Sequence, residues 1–351
     1  MGVMPPPPGV TPNFESPESI AYRMYIVAIV FPVLALVFLA TRLYSASFIL
    51  RKWHADDALI LVAFFIAVAN SAVCITQTNY GLGNHMWEIT IPDFQMFMKL
   101  GMIGGPLTYN LATLFIKLSI LRFYLRFAKA NRPFQFAVYF VMLVTIGYTV
   151  PNALLSLYSC RPMAGYWDMS ILDKQCVNFN AAFHTANTLN MLTDFAILLL
   201  PIWMLQPLQL PRLKKIGITL VLMAGGFVCA VSLMRMITAF VGIQNEDLTW
   251  HYIDNLSWCI VEMDFGIVCA CLPCLKPFVK RYFPNLVFFD PALEERVSSF
   301  QISNRVARFS RADRQTDTIV GPTGLRSKPS KLSEEMHEEK TVGEASTSRF
   351  S

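Results

Sequence analysis

Seven apolar runs limit this chain more than any other feature, at approximately 23–44, 57–78, 100–121, 134–158, 181–205, 216–243 and 252–275. Each is long enough, as a helix, to cross about 30 Å of hydrocarbon. Inside a bilayer the backbone must satisfy its own hydrogen bonds, which for such runs means helices. The expected fold is therefore all-α, an integral membrane seven-transmembrane helix bundle. Charge is scarce enough to agree: 15% of the 351 residues are charged and 54% are hydrophobic, with a mean hydropathy of +0.44. A soluble domain of this length carries more charged surface.

Three parts follow: an extracellular segment at 1–22, the membrane domain at 23–283, and a cytoplasmic tail at 284–351. The first segment, MGVMPPPPGVTPNFESPESI, is Pro-rich and expected to be extended or disordered. It has neither the basic nor the short apolar region of a signal peptide, so the first run is expected to direct insertion. Nor does it fit a myristoylation signal. The tail is rich in Ser, Thr, Lys, Arg and Glu, basic near the membrane and acidic at its end. It reads as disordered, with Ser310 a site open to phosphorylation and the basic half able to meet anionic lipid.

Orientation comes from the short loops, because basic loops stay in the cytoplasm. Arg42, Arg51 and Lys52 follow the first run; Arg122, Arg126, Lys129 and Arg132 follow the third. Arg212, Lys214 and Lys215 follow the fifth, and Lys276, Lys280 and Arg281 the seventh. The other face carries the acids Glu88, Asp93, Asp168, Asp173, Glu246 and Asp247. This predicts N-out, C-in; a plasma membrane is the expected location. It also explains the net charge of +5 without a nucleic-acid partner.

Of eight cysteines only Cys160 and Cys176 fall in an outward loop. In an oxidising compartment they are expected to form a disulfide, worth roughly 3 kcal/mol for a loop of this length, with two free thiols the alternative.

Several motifs stand in fixed order along the runs. Asp56-Asp57 opens the second, and Tyr80-Gly81-Leu82-Gly83-Asn84-His85 follows it. Next come Cys160-Arg161-Pro162 with Trp167 and Cys176, then Asn190 and Asp194 ahead of LLLP in the fifth run. Arg235 lies in the sixth, and Glu262 with ACLP in the seventh. In this order over roughly residues 20–283, the chain resembles the fungal rhodopsin-like seven-transmembrane family. That family includes Pth-eleven-type receptors and satratoxin-cluster-type membrane proteins of secondary-metabolite pathways. The resemblance implies a fungal source, a membrane location and a receptor role, and names no ligand. This sequence departs from it twice: no Cys-rich module precedes the first run, and Asp264 stands where the family more often shows an uncharged polar residue.

A retinal Schiff base needs an amine in the last helix, and from Tyr252 to Leu275 there is no lysine, so no cofactor is expected. Charges within membrane runs mark sites more often than not. Glu262 and Asp264, two apart, do not share a helix face. The side of Glu262, with Trp258, Cys259 and Gly266, is expected to be the buried one. Arg235 lies at about the same depth, roughly 12–14 Å below the outer helix ends, which suggests an Arg235–Glu262 pair. Separate partners for each are the alternative. Asn187, Asn190 and Asp194 form a polar stripe that either lines a ligand or proton path or knits helices together. Lys117 either snorkels to the cytoplasm or reaches Asp194. Asp56 and Asp57 read as caps on the second helix. His85, His184 and His251 are read as dispersed, with a metal or pH-sensing cluster the alternative. Cys274 beside Lys276 is a lipidation candidate. Asn255 sits in a glycosylation sequon too near the bilayer to be modified.

None of the common catalytic motifs is present, so an enzyme is not expected. The first functional reading is a receptor for an unknown small molecule that approaches Glu262, Arg235 and Asp194 from outside and signals to a heterotrimeric G protein. The third run ends LSILRFYLRF with no DRY, and the seventh lacks NPxxY, so coupling would differ from that of animal receptors. The second reading is a non-catalytic accessory protein or transporter of a secondary-metabolite pathway. An odd helix count weakens the transporter form. A purely structural scaffold is the third.

Overall fold

The computed structural model describes residues 2–127, 132–168, 171, 173–205, 212–244 and 247–282. The proposed tail at 284–351, Lys129 and Glu246 lie outside them.

Among the described residues, seven long helices overlap the seven runs: α1 (Ala21–Tyr44), α2 (Ala55–Thr78), α3 (Ile91–Phe127), α4 (Arg132–Leu157), α5 (Phe179–Leu205), α6 (Arg212–Gln244) and α7 (Leu248–Cys271). A wider turn, Ser45–Ile49, prolongs α1, and a tight turn at Leu272–Leu275 leads into the short α8 (Lys276–Tyr282). Six of the seven are long and apolar enough to cross a membrane; α3 is the exception. It carries Asp93, Lys99, Asn110, Lys117, Arg122 and Arg126 along its length. Helices surround it on several sides, since α3 packs against α2, α4, α5 and α7. It also begins nine residues before its apolar run and ends six after, because packing on neighbours sustains helix where hydropathy alone does not.

We call the end at which α1, α3, α5 and α7 begin the head and the opposite end the base. Two apolar clusters fill the middle. The head cluster joins Met24, Leu82, Phe97 and Ile260, and the base cluster joins Leu39, Ile60, Ile116 and Ile267. Large apolar side chains such as Ile29, Phe136 and Leu143 point outward from α1 and α4, as lipid-facing helices require.

Asp264 corrects an expectation. Both acids of α7 are buried, Glu262 at 3% and Asp264 at 2% exposure. α7 packs against α1, α2, α3 and α6 and so has little free face. The N-terminal segment also differs from a free extended chain. Gly2 bridges Thr90, Ser19 bridges Asn84, and the Val3 N–H donates to the Ile89 carbonyl at 3.2 Å.

At the head, the Gly81-Leu-Gly83 turn joins three elements. Both glycines have positive φ, +102° and +89°. A Cβ on Gly83 would lie 3.0 Å from the Ala21 nitrogen and from Ile253, so the turn needs glycine twice over. Gly83 accepts from the Ile20 N–H at 3.0 Å and donates to the Thr249 carbonyl at 3.1 Å, tying the starts of α1 and α7 together. Beside it, His85 lies between the indoles of Trp87 and Trp250, at 4.3 and 4.0 Å, with Nδ1 2.5 Å from Asp247 Oδ2. His184 stacks separately on Phe240 of α6, at 4.0 Å. A two-residue pair, β1 (Cys160–Arg161) with β2 (Gln175–Cys176), carries the Cys160–Cys176 disulfide.

Arg42 is the largest departure at the base. Counted from sequence as a loop cation, it is in α1 and 1% exposed. Its Nε donates to Asp57 at 2.8 Å, Nη2 to Asp56 at 2.7 Å, and Nη1 to the Ala270 carbonyl of α7 at 2.6 Å. Asp57 also caps α2 by accepting the His54 N–H at 3.0 Å. The two aspartates are thus caps and counter-ions together, and they clamp α1, α2 and α7.

Candidate functional site

Between the head and base clusters lies a polar layer built from five helices. Each of its four charged residues, Lys117, Asp194, Arg235 and Glu262, is at most 9% exposed. Two cations meet two anions, so the layer is neutral. Left unpaired, any one of these charges would cost several kcal/mol.

Lys117 does not snorkel. Its Nζ is 3.0 Å from Asp194 Oδ1 and donates to Asn190 Oδ1 and Thr193 Oγ1, both at 2.8 Å. The Asn190 carbonyl at 3.0 Å and Tyr148 hydroxyl at 3.3 Å complete its shell. Residues 190, 193 and 194 share one face of α5, as spacings of three and four place them. Ser232 of α6 donates to Asp194 Oδ2 at 2.8 Å.

Arg235 and Glu262 form the pair that their depth suggested. Arg235 Nε donates to Glu262 Oε2 at 2.6 Å. Glu262 Oε1 accepts from Tyr109 at 2.9 Å and from Asn190 Nδ2 at 2.7 Å. Arg235 Nη1 donates to Asn187 Oδ1 at 2.5 Å, and its guanidinium lies 4.9 Å from the centre of the Tyr109 ring.

Asn190 joins the two pairs. Its oxygen accepts from Lys117, and its amide donates to Glu262 at 2.7 Å and to Asp194 Oδ2 at 3.3 Å. No charged side chain could do both, because only an amide presents an acceptor and two donors.

Toward the base, a cavity of about 50 Å³ for water-sized molecules opens under this layer, with Lys117, Asp194 and Glu262 at its roof. Its walls include Ile120, Tyr124, Pro201 and Gly266.

All five polar-core residues expected from sequence, Lys117, Asn190, Asp194, Arg235 and Glu262, come together here. Tyr109, Tyr148 and Ser232 were not foreseen. Tyr109, Thr113 and Lys117 recur every four residues on α3, Thr145, Tyr148, Thr149 and Asn152 recur at spacings of three and four on α4, and Ser232 lies three residues before Arg235 on α6, so each stands on a polar face that helical spacing marks. Asp264 is buried apart from the layer, and its Oδ1 has no hydrogen-bond partner among the described residues. Cys274 lies partly buried in the turn before α8. Asn255 is 2% exposed, inside the bundle rather than at its rim.

Residues 41–281 match the model of the fungal rhodopsin domain. The chain belongs to that family. Within it, the chain is 27% identical over 242 residues to a SAT4 family membrane protein of Emericella nidulans, covering 68% of this chain and 61% of that protein. It is 26% identical over 173 residues to the satratoxin biosynthesis SC1 cluster protein 4 of Stachybotrys chartarum, covering 49% and 62%. To the receptor GIN3 of Arthrobotrys oligospora it is 23% identical over 292 residues, covering 81% and 69%. It therefore spans about three fifths of the length of the first two. No solved structure matches it. As a fungal rhodopsin-domain protein with six helices apolar enough to span, it is a multi-pass membrane protein.

Proposed function

We propose that this fungal rhodopsin-domain protein is a seven-transmembrane, N-out, C-in receptor of the plasma membrane, in which the Lys117–Asp194 and Arg235–Glu262 layer responds to a small molecule. One observation carries the reading: two buried ion pairs on four helices, α3, α5, α6 and α7, share a single amide, Asn190. A ligand that displaces one contact of Asn190 unbalances both pairs, so the helices have two arrangements between which a ligand selects. The similarity to a protein named as a receptor supports this use. The reading assigns the protein no catalytic role, and no retinal, since α7 has no lysine before its base end.

The second reading is an accessory protein of a secondary-metabolite pathway, favoured by similarity to a protein named for satratoxin biosynthesis. The two part on one experiment. The full chain is purified in mild detergent with the host's heterotrimeric G protein. A receptor captures Gα and releases it on addition of GTP. Absence of capture by folded protein favours the pathway reading.

A further inference from the structure

The cavity beneath the polar layer is ringed by α3, α5, α6 and α7, the four helices that carry the two ion pairs. Its roof and foot are equally far apart on three of them. Lys117 and Tyr124 on α3, Asp194 and Pro201 on α5, and Glu262 and Cys269 on α7 are each seven residues apart. The rise of a helix makes that distance about 10 Å. The walls between are apolar, with Ile116, Ile120, Ile197, Leu222 and Val228 among them. About 50 Å³ is open to the centres of water-sized molecules. Spread over about 10 Å, this is a cross-section of about 5 Å² for such centres, a bore as wide as one unbranched hydrocarbon chain.

The roof has acceptors to spare and no donor. Lys117 Nζ has three protons, and Asp194 Oδ1, Asn190 Oδ1 and Thr193 Oγ1 lie at 3.0, 2.8 and 2.8 Å to take them. Thr113, also on the lining, gives its proton to the Tyr109 carbonyl at 2.9 Å. A carboxylate oxygen has room for two hydrogen bonds. Among the described residues, Asp194 Oδ1 faces only Lys117, and Glu262 Oε2 accepts only from Arg235.

We propose that this cavity binds a primary alcohol of medium, unbranched chain, its hydroxyl at the roof and its methyl end toward Tyr124 and Cys269. The hydroxyl donates to Asp194 Oδ1 or Glu262 Oε2, and the chain covers the apolar walls. The proposal rests on the receptor reading above and names the ligand class of the same polar layer. Ethers, ketones and esters bring no proton to the roof. A carboxylate or an ammonium would add a buried charge to a layer whose two cations already balance two anions. Water can reach the roof but leaves the apolar walls without contacts, and sites with such walls and a few convergent polar groups take apolar molecules with a polar end.

The test uses the full chain in lipid nanodiscs and a photoreactive 1-heptanol with a diazirine in mid-chain, the labelled residues being mapped by mass spectrometry. Label should fall on wall residues such as Ile120 and Val228, and excess 1-heptanol should remove it saturably. 1-Methoxyhexane has the same heavy-atom count without the O–H. It should compete at least about tenfold more weakly, the effect of one lost hydrogen bond to a charged group. Val228 is on the wall and not part of the layer, so Val228→Phe fills the bore and should lower wall labelling at least about tenfold. Leu222→Phe repeats the comparison if the first variant does not fold. Label confined to outward-facing residues such as Leu199 and Met223 overturns the proposal, and is the result expected of a cavity that holds water only. Equal competition by 1-methoxyhexane, or unchanged labelling in a folded variant, overturns it as well. Labelling is read without G protein. Saturable wall labelling without Gα capture therefore refutes the receptor reading and leaves this site standing.

Discussion

Glu262→Gln is the most informative single change. It alters one atom, yet neither orientation of the new amide fits. With its oxygen toward Tyr109 and Asn190 Nδ2, its NH₂ faces the Arg235 Nε–H, which now bonds to Glu262 at 2.6 Å. Turned over, its NH₂ meets the Tyr109 hydroxyl and the Asn190 amide, both donors in the present arrangement. In the first orientation Arg235 Nε loses its acceptor; in the second the Tyr109 hydroxyl and the Asn190 amide lose theirs; in both the layer carries one uncompensated positive charge. Removing one partner of a buried pair costs about 3–5 kcal/mol. For a bundle of this size that lowers the midpoint on the order of 10 °C. Heating the detergent-purified variants and following the monodisperse peak by size-exclusion chromatography measures it. Arg235→Met with Glu262→Met removes both charges and should lose less than Glu262→Gln alone, since an apolar replacement of a buried pair is often near neutral. A loss below about 0.5 kcal/mol for Glu262→Gln, the range of surface substitutions, would refute the reasoning.

At the base, Arg42→Met strands Asp56 and Asp57, and should cost about 3–5 kcal/mol in the same assay. Asp264→Asn is expected to be neutral or stabilising, because Asp264 Oδ1 has no partner to lose; a loss above about 1 kcal/mol would reveal one. Breaking the disulfide by Cys160→Ser with Cys176→Ser should cost roughly 3 kcal/mol, and intact mass of the natural chain with and without reductant should differ by two hydrogens. His85→Ala removes the ring between two indoles and the contact with Asp247, and should increase hydrogen exchange at residues 83–90 while leaving the middle of α7 protected.

Apolar length and loop charge made six spans legible, because a bilayer leaves the backbone few options. α3 was the hardest to delimit. Its turns at Ile91 and Arg126 are polar and owe their helix to packing, which hydropathy does not record. Depth counting brought Arg235 to Glu262, since helices of fixed rise place residues at equal distance from the same end in one layer. Helical spacing found the α5 stripe and left open whether Lys117 turned inward. Only the packing of α3 against α5 decides that. Face arguments failed for Asp264, because they assume a helix with a free side and α7 has almost none. At Arg42 the sequence shows how near the residue is to the end of an apolar run, not what stands across from it. Asp56 and Asp57 stand there, and their charges are answered by α1 rather than by solvent.

The central claim is that the two ion pairs act as one unit through Asn190. A double-mutant cycle between Asp194→Asn and Glu262→Gln tests it most directly, because these carboxylates belong to different pairs and both accept from the Asn190 amide. If the layer is one unit, the two losses of stability are non-additive by about 0.5–3 kcal/mol, and the coupling vanishes when Asn190 is replaced by Leu. Losses that add within about 0.3 kcal/mol would show two independent pairs and contradict the account.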